Sequence, residues 1–392
     1  MTIRLPNGFR CAGIACGLKS DPQREDLSLF VADAPCVAAG VYTQNLVYAA
    51  PVGLDRQRTP SAEIRAVVVN SGNANACTGE RGWQDAVTMT QQVAAAIGAR
   101  EEEVLVMSTG VIGEFLAMDK IASGIAASAA QLGTDENHLL AAARGILTTD
   151  QGVKTASAEQ PYHITGLAKG AGMIAPRMAT MLAVIFTDAP LTPDTAQRVL
   201  AEAVETSFNA ITVDGHMSTN DTVLLLSSGT AGNGPLEGAA LAGFAQSLSE
   251  TCETLAKQIP ADGEGASHLM AIEVDGCESR EAAHQIARTV ADSALVKTAI
   301  TGNDPNWGRI ISAAGYARVP LDPHKLALEI NGIPIYQAGA PTEFDAATVS
   351  RSMRDHFEVQ IHLHLHAGAC RARVWSSDLT CDYVRFNSEY HT

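Results

Sequence analysis

Positive charge is scarce. Lys and Arg number 27 against 43 Asp and Glu, for a net charge of −16. A surface of that sign repels phosphate backbones, so nucleic acid is excluded as the expected partner. A cationic or zwitterionic small molecule suits the balance better. No apolar run approaches the length that spans a bilayer. Met1–Ser20 lacks the long apolar core of a secretory signal, so the expected location is cytoplasmic. The eight cysteines (Cys11, Cys16, Cys36, Cys77, Cys252, Cys277, Cys370 and Cys381) form no CxxC pair. That excludes a zinc knuckle or a redox dithiol and leaves buried free thiols as the expectation. Neither a phosphate-cradling GxxxxGK[ST], nor a GxGxxG between strand and helix, nor an HExxH is present. Gly170-Ala171-Gly172 lacks a third glycine and precedes a strand. Internal repeats and low-complexity linkers are also missing.

What is present is a 392-residue chain, 46% apolar and 18% charged, with 33 Gly and 16 Pro. That is the profile of a packed globular protein rich in turns. Short apolar runs alternate with amphipathic segments, which predicts an α/β or α+β fold. Strands are expected at residues 64–70, 104–107, 180–187 and 222–226. A helix is expected over 82–97, stopped by Gly98. Others follow over 119–144, broken near Gly133, then from Pro193 with Thr192 as its cap, over 236–257 and over 279–292. Asn331-Gly332 between two short apolar runs signals a hairpin with a type I′ turn. A second hairpin is expected between 358–366 and 370–375. Soft boundaries near 190 and 275 divide the chain into residues 1–190, residues 191–275 and a C-terminal α/β unit, 276–392, carrying both hairpins.

Several segments bear chemistry. Lys169 to Thr180 compresses two glycines and a proline into a turn that enters an apolar strand, with the hydroxyl of Thr180 behind the small Ala179. A threonine is a weak nucleophile unless a base activates it, and chain cleavage before it would supply its own α-amine as that base. Thr109 and Gly110, after a strand, pair a hydroxyl with a flexible backbone N–H, a combination able to donate to an oxyanion. Asp262-Gly263-Glu264-Gly265 offers two carboxylates for an ammonium group or a metal. The segment 302–309 reads as either an active-site wall or a structural corner. His362, His364 and His366 share one strand face, but no carboxylate or cysteine follows them at ligand spacing, so no metal is expected.

The segment KGAGMIAPRMATML (169–182) resembles the self-cleavage segment of the ornithine acetyltransferases, the dual arginine-biosynthesis enzymes that recycle acetyl groups. STGVIG (108–113), VNSGNANA (69–76), Thr148-Thr149-Asp150, STNDT (218–222), DGEG (262–265), Asp304–Arg309 and the ending from Asp378 to Thr392 are similar to further family motifs, in order over nearly the whole chain. The resemblance implies a layered αββα arrangement of the N-terminal-nucleophile hydrolase type with a smaller C-terminal domain. It implies autocatalytic cleavage between Ala179 and Thr180 into an α chain, 1–179, and a β chain, 180–392, associating as α2β2. Thr180 would then carry acetyl from N-acetylornithine to glutamate in ping-pong fashion, with Thr109 and Gly110 as the oxyanion pair. Thr148, Lys169, Thr180, Glu264, Asn387 and Thr392 would contact substrate, with Thr149 standing as the other candidate in its segment. No metal or organic cofactor is implied, and acetyl-CoA stays open as a second donor. The pattern departs from the family at His216, Met217, Ser267 and His268, which bears on the acyl acceptor. A self-cleaving hydrolase, discharging the same acyl-threonine to water, is the alternative, as is a relative with another acceptor in secondary metabolism.

Overall fold

A computed structural model describes residues 3–175 and 181–389. The expected cleavage pair, Ala179 and Thr180, and the C-terminal Thr392 lie outside the described residues.

In chain order the first part contains β1 (Phe9–Ile14), β2 (Leu27–Tyr42), α1 (Ala50–Arg58), β3 (Ser61–Asn73), α2 (Gly79–Ile97), β4 (Val104–Val111), α3 (Met118–Ala130), α4 (Glu136–Gly145), β5 (Lys154–Ala158), β6 (Ile164–Lys169) and β7 (Leu182–Thr187). There follow α5 (Pro193–Thr206), β8 (Ile211–Thr212), β9 (Thr222–Ser227) and α6 (Gly238–Ala261). The strands run β4-β3-β2-β9-β7-β6-β5, with β1 paired to β2 off that path. The long β2 is shared. Its first half, Leu27–Val31, lies between β1 and β3, its register breaks between Val31 and Cys36, and Val37–Tyr42 pairs with β9. The break lets one continuous sheet fold into two layers.

Alternation then sorts the side chains. Phe9, Phe30, Val67, Val69 and Met107 from one layer meet Leu167, Val184, Phe186 and Leu224 from the other. The Phe186 ring centroid stands 5.0 Å from that of Phe9 and 5.2 Å from that of Phe30. The intervening residues face outward: Val68 and Val106 pack under α2 and α3, and Ala183, Ile185, Val223 and Leu225 under α5 and α6. The order helix, sheet, sheet, helix is the αββα arrangement expected. The expected cap of α5 is present, with the Thr192 hydroxyl accepting from the Thr195 amide, and its buried face is Ala196, Val199, Leu200, Ala203 and Val204. Gly98 ends α2 with φ 69°.

The second sheet takes β8 from the first part of the chain and otherwise begins at β10 (Leu269–Cys277). After it come α7 (Arg280–Asp292), α8 (Ala294–Thr301), α9 (Trp307–Gly315), β11 (Ala327–Ile330), β12 (Ile333–Gln337), β13 (Ala340–Pro341), α10 (Ala346–Asp355), β14 (Glu358–His364), β15 (Cys370–Ser377) and α11 (Cys381–Glu389). The strand order is β13-β12-β11-β14-β10-β15-β8. One face is buried under α7, α8, α9 and α10. Leu269, Ala271 and Trp375, by contrast, pack into the core under α6, joining the two sheets. The boundary expected near 190 falls between β7 and α5, and that near 275 falls inside β10.

The Asn331-Gly332 hairpin forms, with φ of 49° and 75° at its two turn residues. The second expected hairpin does not. β14 and β15 both pair with β10, the former parallel and the latter antiparallel, so β10 is inserted between them. Two adjacent strands with a short turn look like a hairpin locally; a third strand arriving from about ninety residues earlier takes both edges. The thiols also differ in part from expectation. Cys11, Cys36, Cys252 and Cys277 are buried, but Cys77 and Cys381 are exposed, and all eight are free. Burial pushes Cys11, Cys36 and Cys252 up to about 12, which keeps them protonated and inert.

Candidate active site

The layers open at one end into a cavity of about 260 Å3. Its walls come from the ends of β4 and β6 and from the loops at 148–150, 214–220 and 262–265. α11 covers one side. Thr109, Gly110, Thr148, Lys169, Glu264 and Asn387, six residues singled out from sequence, all line it.

The Thr109–Gly110 wall is held by backbone packing. β3 and β4 are parallel, with Ser71 opposite Thr109 and Gly72 opposite Gly110. Gly110 has φ 131°, and a Cβ there would stand 2.2 Å from the Gly72 carbonyl carbon. Glycine is therefore required at this close approach. Buried amides lock the same corner. The Asn70 Nδ2 donates to the Asn73 carbonyl at 2.9 Å, and Ser108 Oγ donates to Asn70 Oδ1 at 2.6 Å. Asn220 Nδ2 reaches both the Ala74 and Ser108 carbonyls, at 2.7 and 2.8 Å. The 69–76 and 218–222 motifs thus serve as scaffolding for the wall at Thr109.

Lys169 is fully buried at the end of β6. Its ammonium donates to Thr148 Oγ1 at 2.7 Å and reaches Thr109 Oγ1 at 3.3 Å. Burial lowers its pKa against the pull of Asp150 and Glu264. Asp150 sits behind it. Oδ1 accepts from Lys154 Nζ and from the Gly170 amide, both at 2.6 Å, and Oδ2 from the Thr148 amide at 3.1 Å. Burial opposes its charge, but Lys169, Lys154 and the Gly170 amide outweigh it and hold the carboxyl down at about 2. One buried carboxylate therefore fixes both the Thr148 loop and the turn after β6.

Glu264 faces this group across the cavity. Its Oε1 accepts from Thr149 Oγ1 at 2.7 Å and its Oε2 from Asn387 Nδ2 at 2.9 Å. A Cβ on Gly172 would meet this carboxylate at 2.4 Å, so the glycine makes room for it. Both threonines left as alternatives face the cavity, with Thr148 tied to Lys169 and Thr149 to Glu264. An ammonium on one wall and a carboxylate on the other match the ends of an amino acid. The other carboxylate of that loop, Asp262, lies off the cavity wall in an ion pair with Lys154.

Three further positions bear on the site: Asp214, which the sequence reading missed, and Asp221 and Tyr383, which stand in marked segments but were given no role. Asp214 accepts from the Met173 amide at 2.6 Å, the Ile174 amide at 2.9 Å and the Tyr383 hydroxyl at 3.2 Å. Asp221 accepts from the Met181 amide at 3.1 Å, and its complete burial pushes its carboxyl well up toward the neutral form. These two carboxyls pin the chain just before and just after residues 176–180. Tyr383 lines the cavity from α11. No spacing rule marks any of the three, because each acts on a backbone amide or side chain remote in sequence. Of the departing residues, His216 lines the cavity. His268 is buried away from it against Asp378. Asp304–Arg309 is a structural corner: Asn306 caps α9, and Trp307 stacks on Tyr336 at 5.4 Å.

Comparison with known proteins gives the arrangement a family. The ArgJ family profile matches residues 10–392. An arginine biosynthesis bifunctional protein ArgJ of Rhodopirellula baltica is 47% identical over 99% of this chain and 96% of its own length. That of Geobacter sulfurreducens is 47% identical over 98% and 99%. A crystal structure of the Bacillus halodurans ArgJ protein is 39% identical, with a TM-score of 0.52, covering 54% of this chain and 100% of that one. On sequence over its full length, and on fold, the chain belongs to the ArgJ family.

Proposed function

We propose that the protein is a self-cleaving acetyltransferase that moves acetyl from N-acetylornithine to glutamate through an ester on Thr180. In the maturation step the Thr180 hydroxyl adds to the Ala179 carbonyl and the peptide nitrogen leaves, giving an ester. That departure frees the Thr180 α-amine, and water then hydrolyses the ester to the Ala179 carboxylate and restores the Thr180 hydroxyl. In the transfer step that amine takes the hydroxyl proton as Oγ attacks the acetyl carbonyl. The oxyanion is met by the Thr109 hydroxyl and the Gly110 amide, the Thr180 ammonium returns its proton to the leaving nitrogen so that ornithine departs as the amine, and the amino group of glutamate then attacks the acetyl ester. Lys169 suits the α-carboxylate of either amino acid and Glu264 an ammonium group.

The observation that carries this reading is the convergence of Thr109, Gly110, Lys169 and Glu264 on one cavity, with Asp214 holding the Met173 amide and Asp221 the Met181 amide. The two chains would stay together through the shared sheet, since β7 and β9 pair with β6 and β2, and the assembly is read as α2β2. No helix among the described residues is long and apolar enough to cross a membrane; a biosynthetic role of this kind belongs in the cytoplasm.

Isotope-labelled N-acetylornithine supplied with glutamate tests the transfer. Label recovered in N-acetylglutamate supports it. Label recovered as acetate, independent of glutamate, would establish a hydrolase instead. Replacing N-acetylornithine with acetyl-CoA in the same assay decides whether a second donor is used.

A further inference from the structure

The second sheet carries a cluster that the acetyl-transfer chemistry does not use. Strand alternation puts His362 and His364 on the same face of β14. The parallel register places Asp275 of β10 opposite His364. The Asp275 carboxylate bridges the two imidazoles: Oδ1 lies 2.8 Å from His364 Nδ1 and Oδ2 lies 3.1 Å from His362 Nε2. The rings stand side by side, with centroids 3.8 Å apart. One donor atom from each of the three residues lies within 4.8 Å of the others. All three side chains are about a quarter to a third exposed, so solvent reaches them. Glu273 and Glu329 flank His362 in register on β10 and β11, and Arg373 pairs with Glu273.

We propose that Asp275, His362 and His364 form a binding site for a divalent transition-metal ion, of which Zn2+ is the natural probe. Two imidazole nitrogens and one carboxylate are a three-ligand set that tetrahedral zinc accepts, with the fourth position open to water. Ligand atoms about 2.0–2.1 Å from a tetrahedral ion stand about 3.3 Å from one another. The two carboxylate–imidazole spacings, 2.8 and 3.1 Å, are close to that and all three donors lie within 4.8 Å of one another, so modest side-chain adjustment would admit the ion. Each imidazole would bind as the neutral ring, its other nitrogen carrying the proton. The sequence offered the histidines but not the carboxylate, which arrives from a strand 87 residues earlier. The bound ion would clip β10 to β14 at the solvent face of the second sheet, away from the cavity, and none of the three residues lines that cavity.

The test uses untagged full-length protein, stripped with a chelator and dialysed against Zn2+, with the metal counted by mass spectrometry. The expected result is one Zn2+ per chain, bound at least tenfold more weakly by His362→Gln, His364→Gln and Asp275→Asn. Zn2+ should raise the melting temperature of the parent only, and acetyl transfer by the three variants should be unchanged. Co2+ substitution should give a visible spectrum without thiolate charge transfer. Retention no greater in the parent than in a double His362→Gln/His364→Gln variant, or a cobalt spectrum dominated by thiolate, would overturn the proposal. Failure of acetyl transfer in the parent protein would leave it standing, because it rests on neither the cavity nor Thr180.

Discussion

Adding one methyl group at Gly110 should separate backbone strain from crowding at the oxyanion wall. Gly110 lies in strand β4 just before its end at Val111 and Gly113 just beyond it, and both have positive φ, 131° and 85°. An alanine at either pays about 1–3 kcal/mol for that conformation. At Gly113 nothing lies within 4 Å of the new Cβ, so strain is the whole cost. At Gly110 the Cβ meets the Gly72 carbonyl carbon at 2.2 Å and the Asn73 nitrogen at 2.4 Å. Ordinary contacts between such atoms are about 3.5–4.0 Å, so β3 must withdraw by more than about 1 Å. Overpacking of that kind adds about 1–3 kcal/mol. Gly110→Ala should therefore lose roughly twice the stability that Gly113→Ala loses, read as the shift in urea midpoint. It should also move the residue-110 amide, and losing one oxyanion donor costs a factor of ~100–1000 in turnover. Gly113→Ala should stay within a few-fold of the parent. Equal midpoints and equal rates for the two variants would refute the reasoning, because only Gly110 has backbone in the way.

Three further outcomes follow from the cavity. Asp150 has its carboxyl held at about 2, below the ordinary aspartate value of 3.8. The unfolded chain thus binds the extra proton between those values, and stability of about 2 kcal/mol is present above pH ~4 and lost as pH falls toward 2. Asp150→Asn should flatten that slope in urea titrations at pH 5 and 3, and should cost about 3–5 kcal/mol at pH 7 because Lys154 and Lys169 lose their shared partner; an unchanged slope would contradict it. Glu264→Gln removes a charge while keeping an acceptor for Thr149 and Asn387. It should raise KM for the amino-acid substrates ~10–100-fold with kcat little changed, since a hydrogen bond to a charged group contributes about 1.5–3 kcal/mol; an unaltered KM would remove it from binding. Asp214→Asn weakens the anchor of Met173 and Ile174, so gel analysis during expression should show slower maturation, and normal maturation would sink that role.

Local chemistry was legible wherever neighbours in sequence are neighbours in space. The buried face of α5, its Thr192 cap, the Gly98 stop and the Asn331-Gly332 turn all depend on residues a few positions apart. The strands β1 and β2 were not read, although β2 is the longest in the fold. Its apolar pattern is interrupted by Asp33, Ala34 and Pro35, where it crosses between layers and is exposed. The insertion of β10 between β14 and β15 is likewise invisible to any window of the sequence. The same division holds at the site. Thr109, Gly110, Lys169 and Glu264 stand in compact motifs that a family resemblance can mark. Asp150 and Asp221 stand in such motifs too, but their roles, like those of Asp214 and Tyr383, come through bonds to chain 20 to 169 positions away. Asp275 belongs with them: its meaning for the histidine strand comes from sheet register alone.

The central claim is that Thr180 cuts the chain and then carries the acetyl group. Intact mass spectrometry of the purified protein, before and after N-acetylornithine, tests both halves at once, with Thr180→Ala beside it. The account predicts two chains that part between Ala179 and Thr180, one acetyl group gained on the chain that begins with Thr180, and a single unmodified chain for Thr180→Ala. A parent protein that remains one chain yet transfers acetyl, or a Thr180→Ala variant that still cleaves, would contradict it.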